Sequence, residues 1–60
     1  MKFQVSDRVE LTEERNYPDG DNLPARTKGT VQKVHVYENA YTVKFDGAKN
    51  LHKVPEDILA

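Results

Sequence analysis

The sequence contains no cysteine and no tryptophan, and only three glycines, three prolines and one methionine among its 60 residues. Without cysteine there is neither a disulfide framework, the usual staple of small secreted scaffolds, nor a thiolate metal site, and the chain reads as one from a reducing compartment. No apolar run approaches the roughly 18 residues that a bilayer-spanning helix requires. The opening Met1-Lys2-Phe3-Gln4-Val5-Ser6-Asp7 also lacks the apolar stretch of a secretory signal. These absences predict a cytoplasmic protein with no membrane partner. Length sets the next limit, because a domain of about 60 residues buries only about 60% of the surface that its unfolded chain exposes. There is room for one core, and residues 1–60 are expected to form one domain.

Hydrophobic residues make up 37% of the chain and charged residues 32%. That balance is too polar for a large core, yet Val is the commonest apolar residue and Tyr and Phe stand beside it, which suits a small β domain and not a disordered chain. Val9 and Leu11 alternate with polar neighbours over Asp7–Thr12, as a half-buried strand requires, and Val5 has the same parity. Glu13 to Arg26 holds Pro18, Asp19-Gly20, Asn22 and Pro24, a density of turn formers that predicts one long loop anchored by Tyr17 and Leu23. Loops of this length without their own secondary structure tend to be functional or mobile, which makes this one a candidate binding surface.

A second strand is expected over Gly29–Tyr37, where Val31 is out of phase with Val34 and Val36. A β-bulge near Gln32-Lys33 would turn all three inward and bend the sheet. Glu38-Asn39-Ala40 reads as a tight hairpin connection. Tyr41-Thr42-Val43-Lys44-Phe45 then alternates without fault. Asp46-Gly47 marks a turn, Asn50–Val54 a fourth strand, and Pro55-Glu56-Asp57 a single helical turn, after which Ile58 and Leu59 close the end. The expected core is Val9, Leu11, Val31, Val34, Val36, Tyr41, Val43, Phe45, Val54 and Ile58.

Four segments, Asp7-Arg8-Val9-Glu10-Leu11, Leu23-Pro24-Ala25-Arg26-Thr27-Lys28-Gly29-Thr30-Val31, Tyr41-Thr42-Val43-Lys44-Phe45-Asp46-Gly47 and Val54-Pro55-Glu56-Asp57-Ile58-Leu59, together resemble the pattern of small bacterial SH3-like β-barrel proteins. KOW-type modules, the small accessory subunit of photosystem I and other short SH3-like proteins share it. The resemblance spans nearly the whole chain and implies an all-β, SH3-like barrel of about five strands with one helical turn before the last strand. Its motifs are structural and imply no chemistry. Two positions depart from it, since many such sequences carry glycine where this chain has Ser6 and Arg26. A side chain in place of the turn glycine at Arg26 implies a different turn or a local cost.

Most catalytic chemistries lack their residues. The acidic neighbours Glu13-Glu14 and Glu56-Asp57 have no adjacent apolar pocket to push two carboxyl groups apart in pKa. In the second pair, the carboxylates suit the exposed N–H groups of a helical first turn. His35 and His52 match no metal-ligand spacing and read as solvent-facing. Ser6 and the threonines have no nearby base, and Gly20, Gly29 and Gly47 are scattered turn residues, not a phosphate cradle. No catalytic residue, metal ligand or cofactor is expected.

The net charge of −1 conceals a division. Met1–Pro24 carries three basic and six acidic side chains, a net of −3; Ala25–Lys53 carries six basic and two acidic, a net of +4; and the remaining tail carries −2. Two binding functions follow. One is a protein-interaction or accessory-subunit role through the acidic loop and its surroundings, with Tyr17, Asp19, Leu23 and Tyr37 as contacts. The alternative is a nucleic-acid-binding small barrel that uses Arg26, Lys28, Lys33, Lys44 and Lys53, with Tyr37 as a stacking platform. A sequence pI near 6.0 falls short of the value above about 9 that marks nucleic-acid-binding domains. The protein partner is therefore the favoured reading, for a monomer or weak dimer.

Overall fold

In the computed structural model, which describes residues 1–60, the alternating segments become six short strands and no α-helix. They are β1 (Arg8–Glu10), β2 (Arg15–Asn16), β3 (Asn22–Leu23), β4 (Lys28–His35), β5 (Ala40–Phe45) and β6 (His52–Pro55), with 3-10 turns at Val36–Glu38 and Glu56–Ile58. All pairing is antiparallel, in a four-stranded sheet of order β1-β4-β5-β6 and a two-stranded sheet of β2 and β3. No helix of the chain is long and apolar enough to cross a membrane.

The expected closed barrel does not form by continuous pairing, because β1 and β6 are the two edges of the larger sheet. The last residues cover β1 instead. Glu10 N–H donates to Ala60 O (2.9 Å), Ala60 N–H donates to Glu10 O (2.8 Å), and Leu11 bridges Leu59.

Strand register explains the core. The inward lines across the sheet are Val9–Gly29–Phe45, Val31–Val43–His52 and Val34–Tyr41–Val54. Leu11, Tyr41, Val43, Phe45 and Val54 are fully sealed, and each such side chain contributes about 1.5–3 kcal/mol by leaving water. The register shifts between Val31 and Lys33, so the bulge stands where the phase slip predicts it and lets both Val31 and Val34 face inward.

Several expectations change. The Glu13–Arg26 segment is not a featureless loop: its Pro18–Gly20 turn brings Arg15–Asn16 against Asn22–Leu23. Val36 is 59% exposed because the strand ends at His35 and the 3-10 turn breaks the alternation. Val5 is 57% exposed because the chain turns at Val5-Ser6 before β1 begins. Tyr37 consequently lies on the turn and not on a strand, and the final strand starts at His52, with Leu51 exposed. His52, expected in solvent, is 6% exposed because it shares the inward parity of Val54. Leu23, Ala40, Ala48 and Leu59 join the core.

Ser6 (φ 79°) and Arg26 (φ 74°) both hold positive φ, the left-handed region that favours glycine, so each bears the Cβ clash. Arg26 N–H donates to Leu11 O (2.7 Å), which holds the turn against the core. Arg26→Gly is expected to raise stability by about 1 kcal/mol, the relief of that clash exceeding the added chain entropy, and to lift Tm by several degrees in a thermal scan.

Candidate functional site

Three surfaces combine exposure with unusual chemistry. The first is the turn between β4 and β5, where Tyr37 is wholly exposed and Val36 largely so. With Val34, His35 and Glu38 they line an open depression of about 470 Å³. The turn is tied to β6 and to the 3-10 turn that follows it. Asn39 adopts the left-handed conformation (φ 50°, ψ 49°), its carbonyl accepts the Glu56 N–H (2.8 Å), and Lys53 Nζ donates to both Glu38 oxygens (2.6 and 2.9 Å). The hydrogen bond from Lys53 holds the Glu38 carboxyl below the usual carboxylate range. His35 Nε2 lies 2.6 Å from Thr42 Oγ1. Behind the turn, the buried Tyr41 hydroxyl donates to Glu56, and burial raises the phenol's pKa.

The second surface is the outer face of the larger sheet, crossed by the lines Arg8–Thr30–Lys44 and Lys33–Thr42–Lys53. Much of its positive charge is already engaged. Arg8 forms a two-pronged pair with Asp46 (3.0 and 2.6 Å), Lys44 Nζ donates to Ala48 O (2.6 Å), and Lys53 is held by Glu38. Arg26, Lys28 and Lys33 are exposed and form no ion pair.

The third surface fastens the β2–β3 hairpin to the start of β6. The Asp21 side chain is 5% exposed. Its Oδ1 accepts the Lys49 N–H (3.0 Å), and its Oδ2 accepts the Asn50 N–H (3.1 Å) and lies 2.7 Å from His52 Nε2. These bonds, that from Lys49 foremost, lower the Asp21 pKa from 3.8 to about 2. Asp19 stands beside the pair: its Oδ1 accepts the Asp21 N–H (3.0 Å), its Oδ2 accepts Asn50 Nδ2 (3.0 Å), and Oδ2 is 3.9 Å from His52 Nε2. The Tyr17 ring stacks on the imidazole with centroids 3.8 Å apart and an interplanar angle of 15°. Its hydroxyl is the one buried side-chain polar atom without a partner.

The residues expected to form a protein contact are therefore divided between places. Tyr37 is free at the Ala40 end of β5, whereas Tyr17 and Asp19 sit around His52, which pairs further along that strand with Val43. Leu23, 5% exposed, faces the core and is removed from any contact surface. His52 was missed as a member of this cluster, although its period-two spacing to Val54 already placed it on an inward position. The chain matches no protein-family model, no curated protein and no solved structure.

Proposed function

We propose that the chain is a non-catalytic, SH3-like module that binds a protein partner through the Val36–Tyr37 turn. The observation that carries this reading is the wholly exposed Tyr37 ring on a turn whose neighbours Glu38 and Asn39 are tied to Lys53 and Glu56. A tyrosine on a turn held in this way offers a large amphipathic contact area and has only two side-chain torsions to lose on binding, which is why tyrosines dominate the energetics of many interfaces. The order β1-β4-β5-β6, the bulge in β4 and the 3-10 turn before the closing Leu59 bridge support the SH3-like assignment. A non-catalytic role is supported by the open depressions, the largest of which is lined by Lys2, Glu38, Asn39, Pro55, Glu56 and Asp57 and is no enclosed apolar pocket. The nucleic-acid alternative is weakened because Lys44 and Lys53 are already bonded within the chain.

The test places a photo-crosslinking phenylalanine analogue at position 37 or, as a control, at the exposed Glu14. Position 37 is expected to capture one partner that position 14 does not. Tyr37→Ala is then expected to weaken that partner's affinity by about 2 kcal/mol, roughly thirtyfold, while changing stability by less than about 0.5 kcal/mol. Equal capture at the two positions, or salt-sensitive binding of labelled DNA or RNA at low ionic strength with no protein captured, would reject the proposal.

A further inference from the structure

We propose that Asp19, Asp21 and His52 form a binding site for a late first-row divalent cation, of which Zn²⁺ is the probe. The site is independent of the Tyr37 turn. It is not a group of carboxylates alone, because a buried imidazole directs Nε2 at two of them, 2.7 Å from Asp21 Oδ2 and 3.9 Å from Asp19 Oδ2. The three ligand atoms all lie within 4.8 Å of one another. A tetrahedral ion with ligands at about 2.0–2.2 Å separates neighbouring ligand atoms by about 3.3–3.5 Å. One of the two separations from His52 Nε2 is shorter than that and the other longer, so shifts of roughly half an ångström bring both into that range.

The lone pairs also suffice. Two carboxylate oxygens offer about four acceptor positions. Asp19 uses one for the Asp21 N–H and one for Asn50 Nδ2, and two remain. Asp21 uses one each for the Lys49 and Asn50 N–H groups, and the one that faces His52 passes to the ion when the imidazole carries its proton on Nδ1. Those N–H donors then orient the carboxylates from behind, the outer support that metal-binding carboxylates ordinarily have. The Asp19 side chain, 38% exposed, forms the open side through which an ion and its remaining waters enter. The Tyr17 ring closes one face of the imidazole. A nitrogen ligand and only three protein ligands favour a zinc-like ion over Ca²⁺ or Mg²⁺, which prefer oxygen donors.

Titrating the full chain with zinc chloride in a calorimeter, alongside calcium and magnesium chloride, tests the site. The expected result is one zinc per chain, saturating well below about 1 mM, with no comparable calcium or magnesium signal. The ¹⁵N resonance of His52 Nε2 is expected to shift on zinc addition. Asp19→Asn is expected to weaken zinc binding about tenfold or more. His35→Gln serves as the control, since His35 Nδ1 lies 3.7 Å from Glu38 Oε2 in the other imidazole–carboxylate pair, and it is expected to change nothing. Absence of saturation, unchanged affinity in Asp19→Asn, loss of binding in His35→Gln, or an unmoved His52 resonance in the wild-type chain would each overturn the proposal.

Discussion

Gly29→Ala is expected to destabilise the fold by about 3 kcal/mol, at the upper end of overpacking costs and a large part of the roughly 3–9 kcal/mol that a chain of this size commands. The reason is the line Val9–Gly29–Phe45. A Cβ on Gly29 meets Val43 Cγ1 at 2.7 Å, Lys44 O at 2.8 Å and Phe45 Cα at 3.0 Å. Two of those three atoms are backbone, so no rotamer change relieves the contact. β4 and β5 must separate, and the β1–β4 pairing moves with them. A urea titration read by circular dichroism measures the effect; the neighbouring exposed Lys28→Ala is expected to lie within about 0.5 kcal/mol of wild type.

Asp21→Ala is expected to free the β2–β3 hairpin. The substitution removes the acceptor for two backbone N–H groups and the partner of His52, leaving buried donors unpaired. Local opening then requires less free energy than global unfolding, and tryptic cleavage after Arg15 is expected to accelerate about tenfold or more. Asp21 also imparts a pH dependence whose sign follows from its depressed pKa. Between about 2 and 3.8, the unfolded state binds more protons than the folded state, so stability rises with pH across that window. The contribution is fully present above the ordinary carboxylate pKa and is lost as pH falls through about 2. Asp21→Asn is expected to flatten the acid limb of a pH–Tm profile. A residual slope remains from Glu38, Asp46 and Glu56, whose hydrogen bonds to Lys53, Arg8 and Tyr41 respectively also lower their pKa values.

What the sequence makes legible follows from period. Uninterrupted alternation over Tyr41–Phe45 identifies a central strand, and the phase slip between Val31 and Val34 locates the bulge near Gln32-Lys33. Period alone misleads where a strand stops, because nothing in Val34-His35-Val36 says that the turn begins between the two valines. At His52 it is residue type that misleads, since polarity argued for solvent while parity argued for the core. Parity prevailed because Asp21, distant in sequence, supplies the partner that makes burial tolerable. The β2–β3 hairpin is hidden for a related reason: two-residue strands have no measurable period, and its stability comes from Lys49, Asn50 and His52 on another segment.

The reciprocal bonds between Glu10 and Ala60, with the Leu11–Leu59 bridge beside them, bear on the timing of folding. They join residues far apart in the sequence, and pairings of that separation form slowly because loop closure precedes any reward. During synthesis, the outer edge of β1 and the side chain of Leu11 wait for Leu59 and Ala60 to emerge. Until then the nascent chain presents an unpaired strand edge beside an uncovered leucine, the combination that recruits chaperones or, at high expression, other copies of itself.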